Sequence, residues 1–301
     1  MWPIIWDTDP EIIKLFGKIS IRWYSLLFAG GLVAGFQVSK NLFLADRWSM
    51  EDIDKLALFV FIATIVGARL GHCLFYEPDY YLSHPLEMLL PFTWKSGSFE
   101  MTGFRGLASH GGIFGVLLAI WLFSKKYNKP IFSILDIAAV GGSVAATFIR
   151  LGNFMNSEII GKVTDSNFGV RFIQDYYYKS EIVRLTGIKN VQKAYYAVSD
   201  NPQFQNLLDA VPYRHPAQLY ESFCYIFVFL ILWFVYSKTN LKDRTGFLFG
   251  LFLILLWTIR FFVEYVKENG ARFYMHTAEQ IDHFAKRIYE LRKNNSNNTA
   301  G

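Results

Sequence analysis

Six stretches of this sequence are long and apolar enough to cross a lipid bilayer, and no other feature limits the fold so strongly. A hydrocarbon core of about 30 Å takes roughly 20 mostly apolar residues as a helix. The stretches run about Trp23 to Phe43, Leu56 to Tyr76, Leu107 to Phe123, Ile131 to Ile149, Leu219 to Tyr236 and Phe247 to Val266. Small residues recur inside them (Gly30, Gly31 and Gly35; Gly67 and Gly71; Gly111, Gly112 and Gly115), which lets helix backbones approach closely in lipid. Composition agrees. Of 301 residues 52% are hydrophobic, 18% aromatic and only 18% charged, with a mean hydropathy of +0.22. Ordinary soluble domains carry about 25% charged residues. The expected class is therefore an all-α polytopic membrane protein of six transmembrane helices, not a disordered, collagenous, coiled-coil or disulfide-stapled chain. A net charge of +5 suits an anionic lipid surface. It is too small, and too interrupted by apolar runs, to indicate a nucleic-acid partner.

Cys73 and Cys224 both lie in apolar stretches with no CxxC spacing, and read as buried, reduced thiols. The first residues, MWPIIWDTDPEIIKLFG, place acidic groups where a signal peptide would need basic ones, so no cleaved leader is expected.

Short loops rich in Lys and Arg stay on the cytoplasmic side. Lys40 at the end of the first stretch is followed by Arg47 and Lys55; Lys125, Lys126 and Lys129 follow the third stretch, and Lys238, Lys242 and Arg244 the fifth. These alternate loops share one side. The N-terminus, the Tyr76–Gly106 loop and the long Leu151–Gln218 segment then face outward, the last as a small extracytoplasmic cap inserted at about 162–213.

Ionisable groups inside a spanning helix are costly and usually functional. With this orientation a set of polar groups falls toward the outer leaflet: Tyr24, Arg69, His72, His110, Arg150, Asn153, Asn156, Gln218, Tyr220, Glu221, Arg260 and Glu264, with Arg214 and His215 just before the fifth stretch. Several arginines with a histidine and a few carboxylates suit a phosphate-bearing ligand, because the guanidinium fork matches phosphate oxygens bidentately. At a bilayer surface the simplest such ligand is a lipid head group. Arg260 and Glu264 stand four apart on one helix face. That spacing fits either a ligand site or mutual neutralisation. His110 between flanking glycines fits either a packing role or one facing a ligand. No HExxH, acidic cage or cysteine cluster is present, so no metal and no cofactor is expected. GxSxG and Walker sequences are absent too.

The run Arg150-Leu-Gly152-Asn153-Phe-Met-Asn156-Ser-Glu158-Ile-Ile-Gly161 resembles the signature of the prolipoprotein diacylglyceryl transferase family. Trp23-Tyr24, Gly67-Ala-Arg69-Leu-Gly71 and Ser109-His110-Gly111-Gly112 join it in order. Arg214-His215-Pro216-Ala-Gln218-Leu-Tyr220-Glu221 and Arg260-Phe-Phe-Val-Glu264 complete the resemblance, which covers about residues 20–266. It implies an enzyme of the bacterial plasma (inner) membrane that transfers an sn-1,2-diacylglyceryl group from phosphatidylglycerol to the lipobox cysteine thiol of a preprolipoprotein signal peptide. Glycerol 1-phosphate is the by-product. It also implies that Arg150 binds the phosphate with Asn153 and Glu158 in support, and that Arg260, held by Glu264, is the second arginine of the reacting centre. His110 becomes the candidate base, with a different group left open. Tyr24, Arg69, Asn156, Gly161, Arg214, Gln218, Tyr220 and Glu221 complete the expected substrate-binding set.

The sequence departs from the family pattern at Ile149, where Gly is usual, at Leu256, where Tyr is common, and beyond Glu264, where a final span is expected. Residues 276–292 read instead as a polar amphipathic helix, with Thr277 and Gln280 as a capping box and Ile281, Phe284, Ile288 and Leu291 as an apolar stripe. The expected organisation is one catalytic membrane domain over 1–266 and a polar tail over 267–301, the tail helix resting on the outer surface. A phospholipid transporter and a catalytically silent lipid-binding homologue are the competing readings. Against the transporter, no paired broken helices stand out.

Overall fold

The computed structural model describes residues 4–15, 19–89, 92–95, 98–101, 106 and 108–268. The expected tail helix, and with it any final span, lies outside these residues. Strands β1 (Ile4–Trp6), β2 (Glu11–Leu15) and β3 (Ile19–Arg22) lead into α1 (Trp23–Ala45) and α2 (Met50–Phe75). Two short helices follow, α3 (Pro78–Ser83) and α4 (Leu86–Leu89), then β4 (Phe92–Lys95) and β5 (Ser98–Met101). After α5 (Ser109–Tyr127) and α6 (Ile131–Met155) come β6 (Val170–Phe172), α7 (Ile173–Tyr176), α8 (Lys179–Thr186), α9 (Val191–Asp200), α10 (Gln205–Ala210) and β7 (Tyr213–Arg214). The last described elements are α11 (Ala217–Lys238) and α12 (Phe247–Val266).

Helix ends follow local chemistry. Ser49 accepts a hydrogen bond from Asp52 N at 3.1 Å, and Glu51 and Asp52 sit in the first turn of α2, where the helix dipole favours negative charge. α5 ends with Lys125 and Lys126 in its last turn and Asn128 in the left-handed region (φ 52°).

Five helices, α1, α2, α6, α11 and α12, are long and apolar enough to cross a membrane. α5 forms over the third apolar stretch, but is a 19-residue helix with His110 at its start and two lysines at its end; it stands outside those five. Large apolar side chains such as Phe61, Phe114, Phe234, Trp257 and Phe261 are exposed on these helices. Apolar surface on that scale matches lipid rather than water.

The chain forms two compact units, and α1, α6, α11 and α12 contribute residues to both. The unit of 32–144 and 228–254 is built on a close approach of α2 to α5. A Cβ on Gly67 or Gly111 would overlap a carbonyl oxygen of the facing helix, and one on Gly115 would overlap the Ala63 carbonyl. Backbone contact at this range is available only to glycine, and Ala108 N donates to Ala68 O at 2.9 Å across the same pair. The buried Asp136 carboxylate of α6 accepts from Gly246 N (2.6 Å) and Phe249 N (2.8 Å), satisfying donors that open α12. Gly115→Leu should therefore destabilise the protein by about 1–3 kcal/mol through overpacking. Thermal unfolding in detergent should show a lowered Tm. Gly250→Ala, where an added Cβ meets nothing within 4 Å, should leave it unchanged.

The other unit takes in 1–31, 145–227 and 255–301. Here the expectation of an all-helical chain needs correcting. β1 pairs parallel with β6 (Ile4 with Val170, Trp6 with Phe172), and β6 pairs antiparallel with β7. The N-terminal arm is thus a strand of the cap. Gln174 Nε2 and Gln192 Nε2 both donate to Asp7 O at 2.9 Å and hold it there. Strands this short, paired with a partner far along the chain, carry no local periodicity to announce them. Ile173, Tyr177, Ile182, Tyr195, Val198 and Leu208 form the cap core. Burial pushes the phenols of Tyr177 and Tyr195 up to about 12. Both hydroxyls donate, Tyr177 to Leu207 O at 2.9 Å and Tyr195 to Tyr177 O at 2.7 Å, so the core holds them as neutral groups.

Candidate active site

The end of α6 and the loop after it carry the signature residues. Arg150 and Asn153 lie three apart on one helix face, and Arg150 Nη1 donates to Asn153 Oδ1 at 3.3 Å. Beyond the helix, Ser157 (φ 55°) and Ile159 (φ 59°) are left-handed on either side of Glu158. A β-branched residue in that region is strained, and such strain gathers at functional sites. The loop is braced against it. Ser157 N donates to Phe154 O and Glu158 N to Asn153 O, each at 2.9 Å, and Gln218 Nε2 donates to Glu158 O. The Glu158 carboxylate accepts from Asn153 Nδ2 at 3.3 Å and from Asn156 Nδ2 at 3.1 Å.

Arg150 Nε is ion-paired with Glu221 Oε2, and Arg260 Nη1 lies 3.4 Å from Glu221 Oε1. One carboxylate, 3% exposed, therefore joins arginines from α6 and α12. The triad keeps one net positive charge in a setting where an ionised group must be paired. The Arg260 side chain is 35% exposed, which leaves part of its fork open to an anion. Tyr225, one turn after Glu221 and itself buried, lies beside Arg150. Tyr24 packs against Gly152, where a Cβ would lie 2.9 Å from its ring, and its hydroxyl is within electrostatic reach of Arg150 and Glu158.

The expected partner of Arg260 was Glu264. Instead Glu264 is more than half exposed and pairs with Lys267 at 3.7 Å. Four-residue spacing puts both on one helix face, but a buried carboxylate from another helix is the better partner for Arg260. Gly161 is sandwiched: its N–H donates to His215 O at 2.8 Å, and a Cβ would fall 2.6 Å from both His215 Cβ and Val266 O. Arg214 serves the same junction. Its Nη1 donates to Glu268 Oε2 (2.5 Å) and to Gly161 O (3.3 Å). His215 Nδ1 and the Tyr220 hydroxyl are 3.2 Å apart.

Arg69, His72 and His110 belong to the other compact unit. Arg69 is buried, with Nε donating to Met88 O (2.9 Å), and Nη2 to Glu87 O (2.8 Å) and the Tyr81 hydroxyl (3.3 Å). It fastens α3 and α4 to α2. His110 is exposed, with Nε2 3.1 Å from the Tyr76 hydroxyl. His72 stacks on Tyr76 at 5.6 Å between ring centroids. Among the described residues no group of three or more His, Cys, Asp or Glu is placed to hold a metal ion.

The family model for prolipoprotein diacylglyceryl transferase matches residues 10–283. The chain belongs to the prolipoprotein diacylglyceryl transferase family. It is 39% identical over 271 residues to a phosphatidylglycerol–prolipoprotein diacylglyceryl transferase of Bacteroides fragilis, covering 90% of this chain and 85% of that one. To the like-named protein of Tolumonas auensis it is 40% identical over 271 residues, with 90% and 87% covered. For that of Porphyromonas gingivalis the figures are 36% over 268 residues, 88% and 81%. The region shared with the transferase family takes in every residue of the Arg150–Glu221–Arg260 triad, as well as Tyr24, Arg69 and His110. Sequence reasoning placed Glu221 in the site but missed its bridging role, and missed Tyr225 and Glu268. The available signal for Tyr225 was its position four residues after Glu221.

Proposed function

We propose that this transferase moves the sn-1,2-diacylglyceryl group of phosphatidylglycerol onto the cysteine thiol of a prolipoprotein lipobox, forming a thioether and releasing glycerol 1-phosphate. The observation that carries this reading is the buried Glu221 carboxylate shared by Arg150 and Arg260. In the reaction a carbon–sulfur bond forms and the bond between the diacylglyceryl carbon and the phosphate oxygen breaks. The electron pair leaves with the phosphate, which gains negative charge as it becomes a monoester. Guanidinium groups already fixed at that position stabilise this charge more than that of the diester, which is the condition for accelerating the step. Glu221 orients both forks, and Asn153 and Glu158 orient Arg150. Arg69 and Arg214 act by holding backbone segments in place.

The thiol proton passes to His110 in this reading, because a neutral imidazole is a competent base near pH 7. The Ser109–Gly112 motif and the Tyr76 hydroxyl beside His110 Nε2 support that role. Cys73 and Cys224 take no part, since the acceptor thiol belongs to the substrate.

The reading places the enzyme in the bacterial inner membrane with α5 as a sixth span, the N-terminus outside and the arginine triad at the outer leaflet. Its support is the clustering of Lys and Arg in alternate loops. Cysteines introduced at Lys126 and at Asn190 should then react with an impermeant reagent from opposite sides of the membrane. Reaction of both from one side contradicts the orientation. The activity itself is tested with purified protein, phosphatidylglycerol and a lipobox peptide. The peptide should gain the mass of one diacylglyceryl group, and its cysteine-to-serine counterpart should gain none. Tight peptide binding without a mass gain overturns the proposal.

A further inference from the structure

Two amide side chains of the signature network are held by one end only. Gln218, fully buried in the first turn of α11, donates through Nε2 to Glu158 O, and Asn156 donates through Nδ2 to Glu158 Oε1 at 3.1 Å. A carbonyl and a carboxylate only accept, so neither amide can be turned over without setting acceptor against acceptor. The free ends are therefore fixed as acceptors. Among the described residues neither Gln218 Oε1 nor Asn156 Oδ1 has a hydrogen-bond partner, although both atoms are buried. Buried polar atoms are almost always paired, so an acceptor left over beside an active site calls for an explanation, and a bound substrate group supplies one.

What arrives must bring hydrogen-bond donors and sit beside the Arg150 network. Arg150 Nη1 donates to Asn153 Oδ1, and Asn153 Nδ2 to Glu158 Oε2, each at 3.3 Å, so Glu158 joins the phosphate-holding arginine to both amides. A cationic head group is disfavoured, because each Glu158 carboxylate oxygen already accepts an amide N–H and the Arg150–Glu221–Arg260 triad is positive. Neutral hydroxyls fit. Resting on the transferase reading above, we propose that Gln218 Oε1 and Asn156 Oδ1 accept hydrogen bonds from the two hydroxyls of the glycerol head group and select for a polyol head group. A site built to bond a substrate hydroxyl rejects the analogue lacking it far more strongly than an apolar pocket rejects a missing methylene.

The test uses the full-length protein in mixed micelles with a lipobox peptide and three lipids: phosphatidylglycerol and two analogues, each lacking one head-group hydroxyl. For the wild type, kcat/KM should fall at least about tenfold on removal of a hydroxyl. Gln218→Met and Asn156→Leu each remove one acceptor together with the N–H that donates to Glu158, and each should bring the ratio between phosphatidylglycerol and one analogue toward unity. A merely structural role lowers the rates on all three lipids together and leaves the ratios intact. Ratios near one in the wild type, or unchanged in both variants, overturn the inference while transferase activity stands. A wild type that modifies no peptide from phosphatidylglycerol overturns the transferase reading and this inference with it.

Discussion

Replacing Arg150 by alanine is expected to abolish diacylglyceryl transfer while leaving the protein inserted in the membrane. Arg150 is paired through Nε with Glu221 and through Nη1 with Asn153. Its side chain is 16% exposed and that of Glu221 3%, so water and salt screen little of what it does. Losing a charge-assisted contact to a phosphate in so enclosed a position costs about 2–5 kcal/mol. At 1.4 kcal/mol per tenfold, that is a loss of roughly 30- to several-thousand-fold in kcat/KM. Arg150→Lys restores the charge without the fork, and should recover only part of the rate. The measurement is peptide lipidation by membranes in which the variant's abundance matches the wild type. Near-normal turnover of Arg150→Ala removes phosphate recognition from this residue.

Glu221→Gln should produce the second large effect, and in a different quantity. The isosteric amide keeps the packing but leaves two guanidinium groups side by side with no carboxylate between them. Removing one partner of a buried charge pair typically costs 3–5 kcal/mol, here because Arg150 and Arg260 lose the anion that lets them share a partly buried site. The variant should unfold at markedly lower temperature in detergent, and should lose activity even where it stays folded. High phosphate should restore part of the lost stability, because an added anion can take the carboxylate's place between the arginines. A Tm equal to that of the wild type contradicts the bridging role.

The contrast between Glu221 and Glu264 shows what a sequence can reveal of such a site. The Arg150-to-Gly161 run was legible because its spacing is local: the helix end places Arg150 beside Asn153, and the loop returns Glu158 to both asparagines. Arg260 was legible as an arginine in a spanning stretch, yet its partner was not. Spacing along α12 favoured Glu264, whereas the carboxylate it meets comes from α11. Arg69 was singled out by its cost in a membrane, but three backbone and side-chain oxygens of the segment after α2 absorb it. The apolar stretches placed the ends of the long helices to within six residues, the largest differences being the start of α2 and the end of α6. The pairing of β1 with β6 stayed hidden, because a three-residue strand has no periodicity of its own.

Phosphate should leave from the arginine pair as sulfur takes the diacylglyceryl carbon, and counting both products checks this. Purified protein would be given phosphatidylglycerol labelled in its head group together with a lipobox peptide. The S-diacylglyceryl peptide and glycerol 1-phosphate would be quantified over one time course. Both should appear together in equal amounts, and both should vanish with Arg150→Ala. Modified peptide without glycerol 1-phosphate, or glycerol 1-phosphate released at the same rate when the acceptor cysteine is replaced by serine, would contradict it.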